Sequence, residues 1–200
     1  MIKHIIVISF ILSSCNSANL LDTDTSNAPI LLKEAIFGKD ILIDEKFIDS
    51  FSYSFIKVKM QNRAAIYSLS SISKDRVFRW VSEDRSILLT KNGRITKTYG
   101  LENNFDTLEY DIARKTILVQ FSSPKAIFEH KIISSSFFKK NENHLQNWDH
   151  KHVEKFRNDS LNWTAKNIIE YSHTSNLPIK TIQYIYPHQK PIIIEYYYKF

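Results

Sequence analysis

His144, Asp149, His150 and His152 bring four metal-ligating side chains close together in the sequence. A His-x-His pair on a strand presents two imidazoles to one ion. Such a site needs a further ligand and an ordered scaffold, yet Lys139 to Asn162 reads as polar, charged and rich in Asn and His, a loop or a short helix through Val153 to Arg157. Surface histidines are the expectation, and no metal is assigned. Glu83 and Asp84 set two carboxyls beside Trp80, the group type that cleaves glycosidic bonds. Adjacent residues on a turn point apart, so a solvated turn is the expectation. Glycine occurs only at 38, 93 and 100, so neither a Gly-x-Ser-x-Gly elbow nor a phosphate- or dinucleotide-binding loop can be written. No catalytic residue and no cofactor is assigned.

Aromatic and cationic residues offer a second chemistry. Trp80, Trp148, Trp163 and the run Tyr196-Tyr197-Tyr198 could stack on sugar rings, and Arg79, Arg94 or Lys97 could meet acidic sugars. Trp80, Arg94, Trp163 and Tyr197 are the candidates for contact with a glycan or a partner. The alternative is that these rings form the core, the usual place for large aromatics in a β-domain. On a strand Tyr196 and Tyr198 share one face and Tyr197 takes the other, so one side of the run can be buried and the other left as a contact surface.

These residues need strands to position them. Thirteen Phe, ten Tyr and three Trp against three Gly favour β-structure. Asn92-Gly93 between two apolar runs is a type I′ hairpin signal, because both central positions need positive φ, so Ile87 to Thr90 and Arg94 to Thr98 should pair antiparallel. Phe51 to Met60 reads as a long strand with a bulge near Phe55-Ile56, where the apolar parity switches. Ala64 to Ile72, Arg76 to Ser82, Leu108 to Ala113, Thr116 to Ser122 and Lys125 to Ser134 follow as strands. Trp163 to Tyr171, Ile179 to Tyr186 and Pro191 to Phe200 complete the set. The expectation is an all-β, mainly antiparallel single domain, a large curved meander or a sandwich, with a short helix over Pro29 to Phe37 closed by Gly38.

The N-terminus is of another kind. Lys3 and His4 precede an apolar segment, Ile5 to Leu12, too short to cross a bilayer and suited to a cleaved export signal. Leu12-Ser13-Ser14-Cys15 looks like a bacterial lipobox, in which the Cys is acylated and the signal cut before it; an ordinary secretory signal with a chance Cys is the alternative. Cys15 is the single cysteine, placed where a lipid would consume its thiol, so the mature chain would carry no disulfide. The organisation read here is a signal over 1–14, a flexible polar tether over 15–28 and a β-rich domain over 29–200. The formal charge is +6 and Lys3 leaves with the signal, so 6 − 1 leaves about +5. That balance suits an acidic polysaccharide or an anionic membrane face; nucleic acid is not an expected partner of an exported chain.

Trp80, the polar turn after it, Asn92-Gly93-Arg94-Ile95 and Tyr99-Gly100-Leu101, together with the lipobox, resemble the YjbF/GfcB family of group 4 capsule polysaccharide lipoproteins. The resemblance implies a non-catalytic outer-membrane lipoprotein, lipid-anchored at Cys15 and facing the periplasm. It would take part in capsule or exopolysaccharide production and export beside an outer-membrane export partner. Asn16, where resembling inner-membrane lipoproteins carry Asp, points to the outer membrane on the same ground. The rival reading is a polysaccharide-binding or polysaccharide-modifying periplasmic protein.

Overall fold

Alternating apolar and polar residues make strands, and short turns join them in sequence order. In the computed structural model, which describes residues 40–139, 150–172 and 174–200, twelve strands form one closed antiparallel barrel. They are β1 (Phe55–Met60), β2 (Arg63–Ile72), β3 (Val77–Ser82), β4 (Ile87–Lys91), β5 (Arg94–Tyr99) and β6 (Phe105–Asp111). The second half is β7 (Thr116–Ser122), β8 (Lys125–Lys139), β9 (His150–Asn158), β10 (Trp163–Tyr171), β11 (Pro178–Gln183) and β12 (Ile192–Tyr197). The antiparallel all-β expectation holds, but the expected large curved meander or sandwich is replaced by a closed barrel. Phe55 pairs with Tyr197 and Lys59 with Ile193, so the first strand closes on the last and neither strand is left as a free edge.

The signal, Cys15, the tether and the helix expected over Pro29 to Phe37 lie outside the described residues, as do His144, Trp148 and Asp149. The one helix among the described residues is α1 (Glu45–Ser50), whose N-cap Asp44 accepts a hydrogen bond from Phe47 N. It explains the parity switch at Phe55-Ile56, where the expected bulge is absent: β1 pairs both neighbours without a register shift. Ile56 faces the lumen, while Phe55 faces outward and is covered by Phe47 and Phe51 and stacked on Tyr197, ring centroids 4.8 Å apart. Both residues are fully buried, on opposite sides of the wall.

Lys139 to Asn162 is corrected as well. Residues 150–158 are strand β9, held by β8 on one side and β10 on the other. Its lumen-facing residues are His152, Glu154, Phe156 and Asn158, all buried, so a mostly polar inner face hid the strand period.

The lumen core includes Ile56, Val58, Tyr67, Trp80, Leu88, Ile192, Ile194 and Tyr196. The outer wall carries charged registers: Lys57 and Lys180 flank Glu195 as its Cα partners, and Lys151 reaches Glu170 at 3.4 Å. A lipid-facing barrel wall is apolar; this part of the wall faces water. No described helix is long and apolar enough to cross a membrane.

Candidate functional site

Asn92 and Gly93 adopt φ of 50° and 79°, the geometry of the expected turn. At this hairpin Lys91 and Asn92 stay exposed while Gly93 turns inward and is buried. It crosses into the lumen, where Gln183 of β11 clamps it: Gln183 Nε2 donates to Gly93 O and Gln183 Oε1 accepts from Ile95 N, both at 2.9 Å. Gly93 approaches the opposite wall so closely that a Cβ would lie 2.8 Å from Ile169 Cγ2 and 3.0 Å from Pro178 Cβ.

Bending inward has a cost in the barrel wall. β5 pairs β6 only at Lys97 and Asp106, so the stretch Thr107 to Asp111 is bonded on its β7 side alone. Behind this gap lies a cavity of about 630 Å³. A second cavity, about 470 Å³, shares Asn92, Arg94, Phe137 and His152 with it.

Where the two meet, four strands contribute one polar network. Arg94 of β5 donates to both carboxylate oxygens of Glu154, Nη2 to Oε1 at 2.7 Å and Nε to Oε2 at 3.1 Å. Tyr110 OH of β6 donates to the same Oε1 at 2.7 Å. Arg94 Nη2 also lies 3.1 Å from His152 Nδ1. Arginine can only donate, so that nitrogen accepts and the imidazole proton sits on Nε2, 2.7 Å from Ser135 Oγ of β8. Phe137 stacks on the His152 ring at 4.1 Å.

Burial alone would raise the Glu154 pKa, but Arg94 and Tyr110 outweigh it and hold the carboxyl below its usual range. Burial likewise opposes the Arg94 charge, and Glu154 more than restores it. Burial, followed by the Glu154 hydrogen bond, pushes Tyr110 up to about 12, and burial lowers His152. At neutral pH the network is therefore one carboxylate against one guanidinium, with no net charge. His130, which also lines the larger cavity, is pushed down to about 4 by burial and is neutral as well.

Of the residues singled out from the sequence, Arg94 reaches this site. Its charge is matched by Glu154, however, so Arg94 itself is not available as a cation for an acidic sugar. Trp80 is fully buried, its indole N–H donating to Thr90 Oγ1 at 2.9 Å, so neither ring face is open. Trp163 is buried in a separate cluster with Phe156 and Ala165, and Tyr197 lies on the outer wall against Phe55. Tyr196 is buried on the lumen side. The His-x-His pair is on a strand, not in a loop: His152 is buried in the network, and His150 stacks on Tyr171 at 5.0 Å. Among the described residues no group of three His, Cys, Asp or Glu is arranged to hold a metal. Asp84 caps its turn by accepting from Ser86 N at 3.0 Å. The sequence reading missed Glu154, Tyr110, Ser135 and Phe137; the alternation from His152 to Asn158 was the available signal.

Fold and site together define a closed β-barrel, charged on outer registers of β1 and β9 to β12, with an internal chamber whose buried Arg94–Glu154 pair is charge-matched. Residues 30–196 match the family model described as "Group 4 capsule polysaccharide lipoprotein gfcB, YjbF", and the chain belongs to that family. Over 98 residues it is 24% identical to "Uncharacterized lipoprotein GfcB" of Escherichia coli (strain K12), a match covering 49% of this chain and 44% of that one. The chain thus aligns with less than half the length of this curated relative. The crystal structure of the hypothetical lipoprotein YmcC from Escherichia coli (K12) has the same fold, with a TM-score of 0.59 at 15% identity over 88% of this chain and 95% of the other.

Proposed function

We propose that the chain is an outer-membrane lipoprotein, anchored through acylated Cys15 and facing the periplasm. It serves capsule or exopolysaccharide production and export as a non-catalytic accessory to an outer-membrane export partner. Family membership supports the capsule role, and the state of Glu154 supports the absence of catalysis. Glycoside cleavage uses one carboxyl as an acid of raised pKa and a second as nucleophile or base. Glu154 is instead held ionised, with both oxygens engaged by Arg94 and Tyr110. A carboxylate fixed in this way is a strut, not a proton donor.

The test is affinity capture from detergent-solubilised membranes. Recovery of an integral outer-membrane protein supports the reading, and turnover of a capsule glycan by the purified chain overturns it. The rival reading, direct binding of an acidic polysaccharide, is favoured by one observation on the outer wall: Lys155 and Lys166 are exposed Cα partners across β9 and β10. Like charges directly opposite repel unless an anion lies between them. Retention on an immobilised anionic polysaccharide that falls with Lys155→Glu would favour this second role.

A further inference from the structure

The hydrogen-bonding groups around the larger chamber are largely engaged with one another. Arg94, Glu154, His152, Tyr110 and Ser135 close on themselves. Gln183 is held at both ends of its amide by Gly93, Ile95 and Thr181, and Asn167 Oδ1 accepts from Tyr184 N. A sugar carries a hydroxyl on nearly every carbon, and each would lose its water here without an equivalent partner. The buried network at its centre carries no net charge, and Lys91, the lysine that lines the chamber, is exposed, so an anion held deep among these residues finds no compensating charge.

What remains is apolar wall, including Ile95, Phe105, Ile117, Val119 and Phe156. Ile112 and Phe137 line the same chamber, yet are 77% and 72% exposed. Lys91 also lines it and is exposed. The volume of about 630 Å³ lies within the usual range for a small-ligand site, and closed barrels hold single ligands in this way.

We propose that the chamber binds one hydrocarbon chain of a lipid, with the polar head left at the mouth beside Lys91 and the rim formed by Ile112 and Phe137. The gap between β5 and β6 is the entry route. This binding does not depend on the export role.

The test uses the full chain carrying Cys15→Ser, so that no acyl group of its own competes, purified without detergent and titrated with cis-parinaric acid. Saturable fluorescence enhancement at about one probe per chain, displaced by palmitate and by dipalmitoyl phosphatidylcholine but not by polygalacturonate oligomers, is the expected result. Ile112→Glu, at an exposed position that leaves the circular dichroism spectrum unchanged, weakens binding by about tenfold or more. Val119→Trp fills the chamber and does the same if it folds; if it does not, Ile112→Glu decides. Absence of saturable binding, unchanged affinity in Ile112→Glu, or displacement by polygalacturonate comparable to that by palmitate overturns the proposal.

Discussion

Arg94 and Glu154, sixty positions apart in sequence, meet across the barrel lumen at 2.7 Å, with the Glu154 side chain 4% exposed and that of Arg94 25% exposed. Removing one member of such a pair strands the other charge. Glu154→Gln is expected to cost about 3 kcal/mol, the low end for a buried pair because Arg94 keeps some contact with water. The double variant Arg94→Met/Glu154→Leu costs less than either single change, since no charge is left behind. Urea unfolding midpoints of Arg94→Met, Glu154→Leu, Glu154→Gln and the double variant check the order; a double variant as damaged as the sum of Arg94→Met and Glu154→Leu contradicts the ion-pair account.

The inserted hairpin makes a separate demand. Gly93→Ala combines positive φ with a Cβ pressed against Ile169 and Pro178. It is expected to cost about 2 kcal/mol or more. Gln183→Leu leaves Gly93 O and Ile95 N without their side-chain partner and costs about 3 kcal/mol. Gly100 also has positive φ, but its added Cβ would meet nothing nearer than Ser86 Cα at 3.2 Å, so Gly100→Ala is milder. Thermal melting ranks the three; equal melting of Gly93→Ala and wild type would place the turn outside the lumen.

How much of this was legible follows from which face carried the pattern. Val77 to Ser82, Thr116 to Ser122 and Trp163 to Tyr171 show local alternation or strong β-formers, and Asn92-Gly93 has intrinsic turn chemistry; those elements could be read. Closure could not, because pairing of Phe55 with Tyr197 depends on accumulated twist and stagger around twelve strands. Phe55 broke the alternation because α1 covers it from outside. His150 to Asn158 was obscured because its lumen face is largely polar. Arg94 was visible as a cation, but Glu154, which cancels its charge, is brought to it only by the inward turn of β5.

His130 gives the fold a pH signature. Burial lowers it from 6.5 to about 4, so between those values the unfolded chain binds the proton and the folded chain does not. Stability is unaffected by this group above about pH 6.5 and falls as the pH drops toward 4. The loss approaches about 3 kcal/mol at the acid end. Urea titrations at pH 7 and pH 5 check it: His130→Gln should reduce the difference between the two midpoints, and an undiminished difference would assign the acid sensitivity elsewhere.

That a lipid-held, non-catalytic barrel serves capsule export from the membrane surface is a proposal with a direct cellular readout. It is tested most directly in cells lacking the native chain and supplied with either wild type or Cys15→Ser, by measuring surface polysaccharide alongside acyl labelling and membrane fractionation of the protein. The account predicts that Cys15→Ser takes up no acyl label, leaves the outer-membrane fraction and lowers surface polymer. Continued acyl labelling, or full surface polymer supported by protein no longer on the membrane, would contradict it.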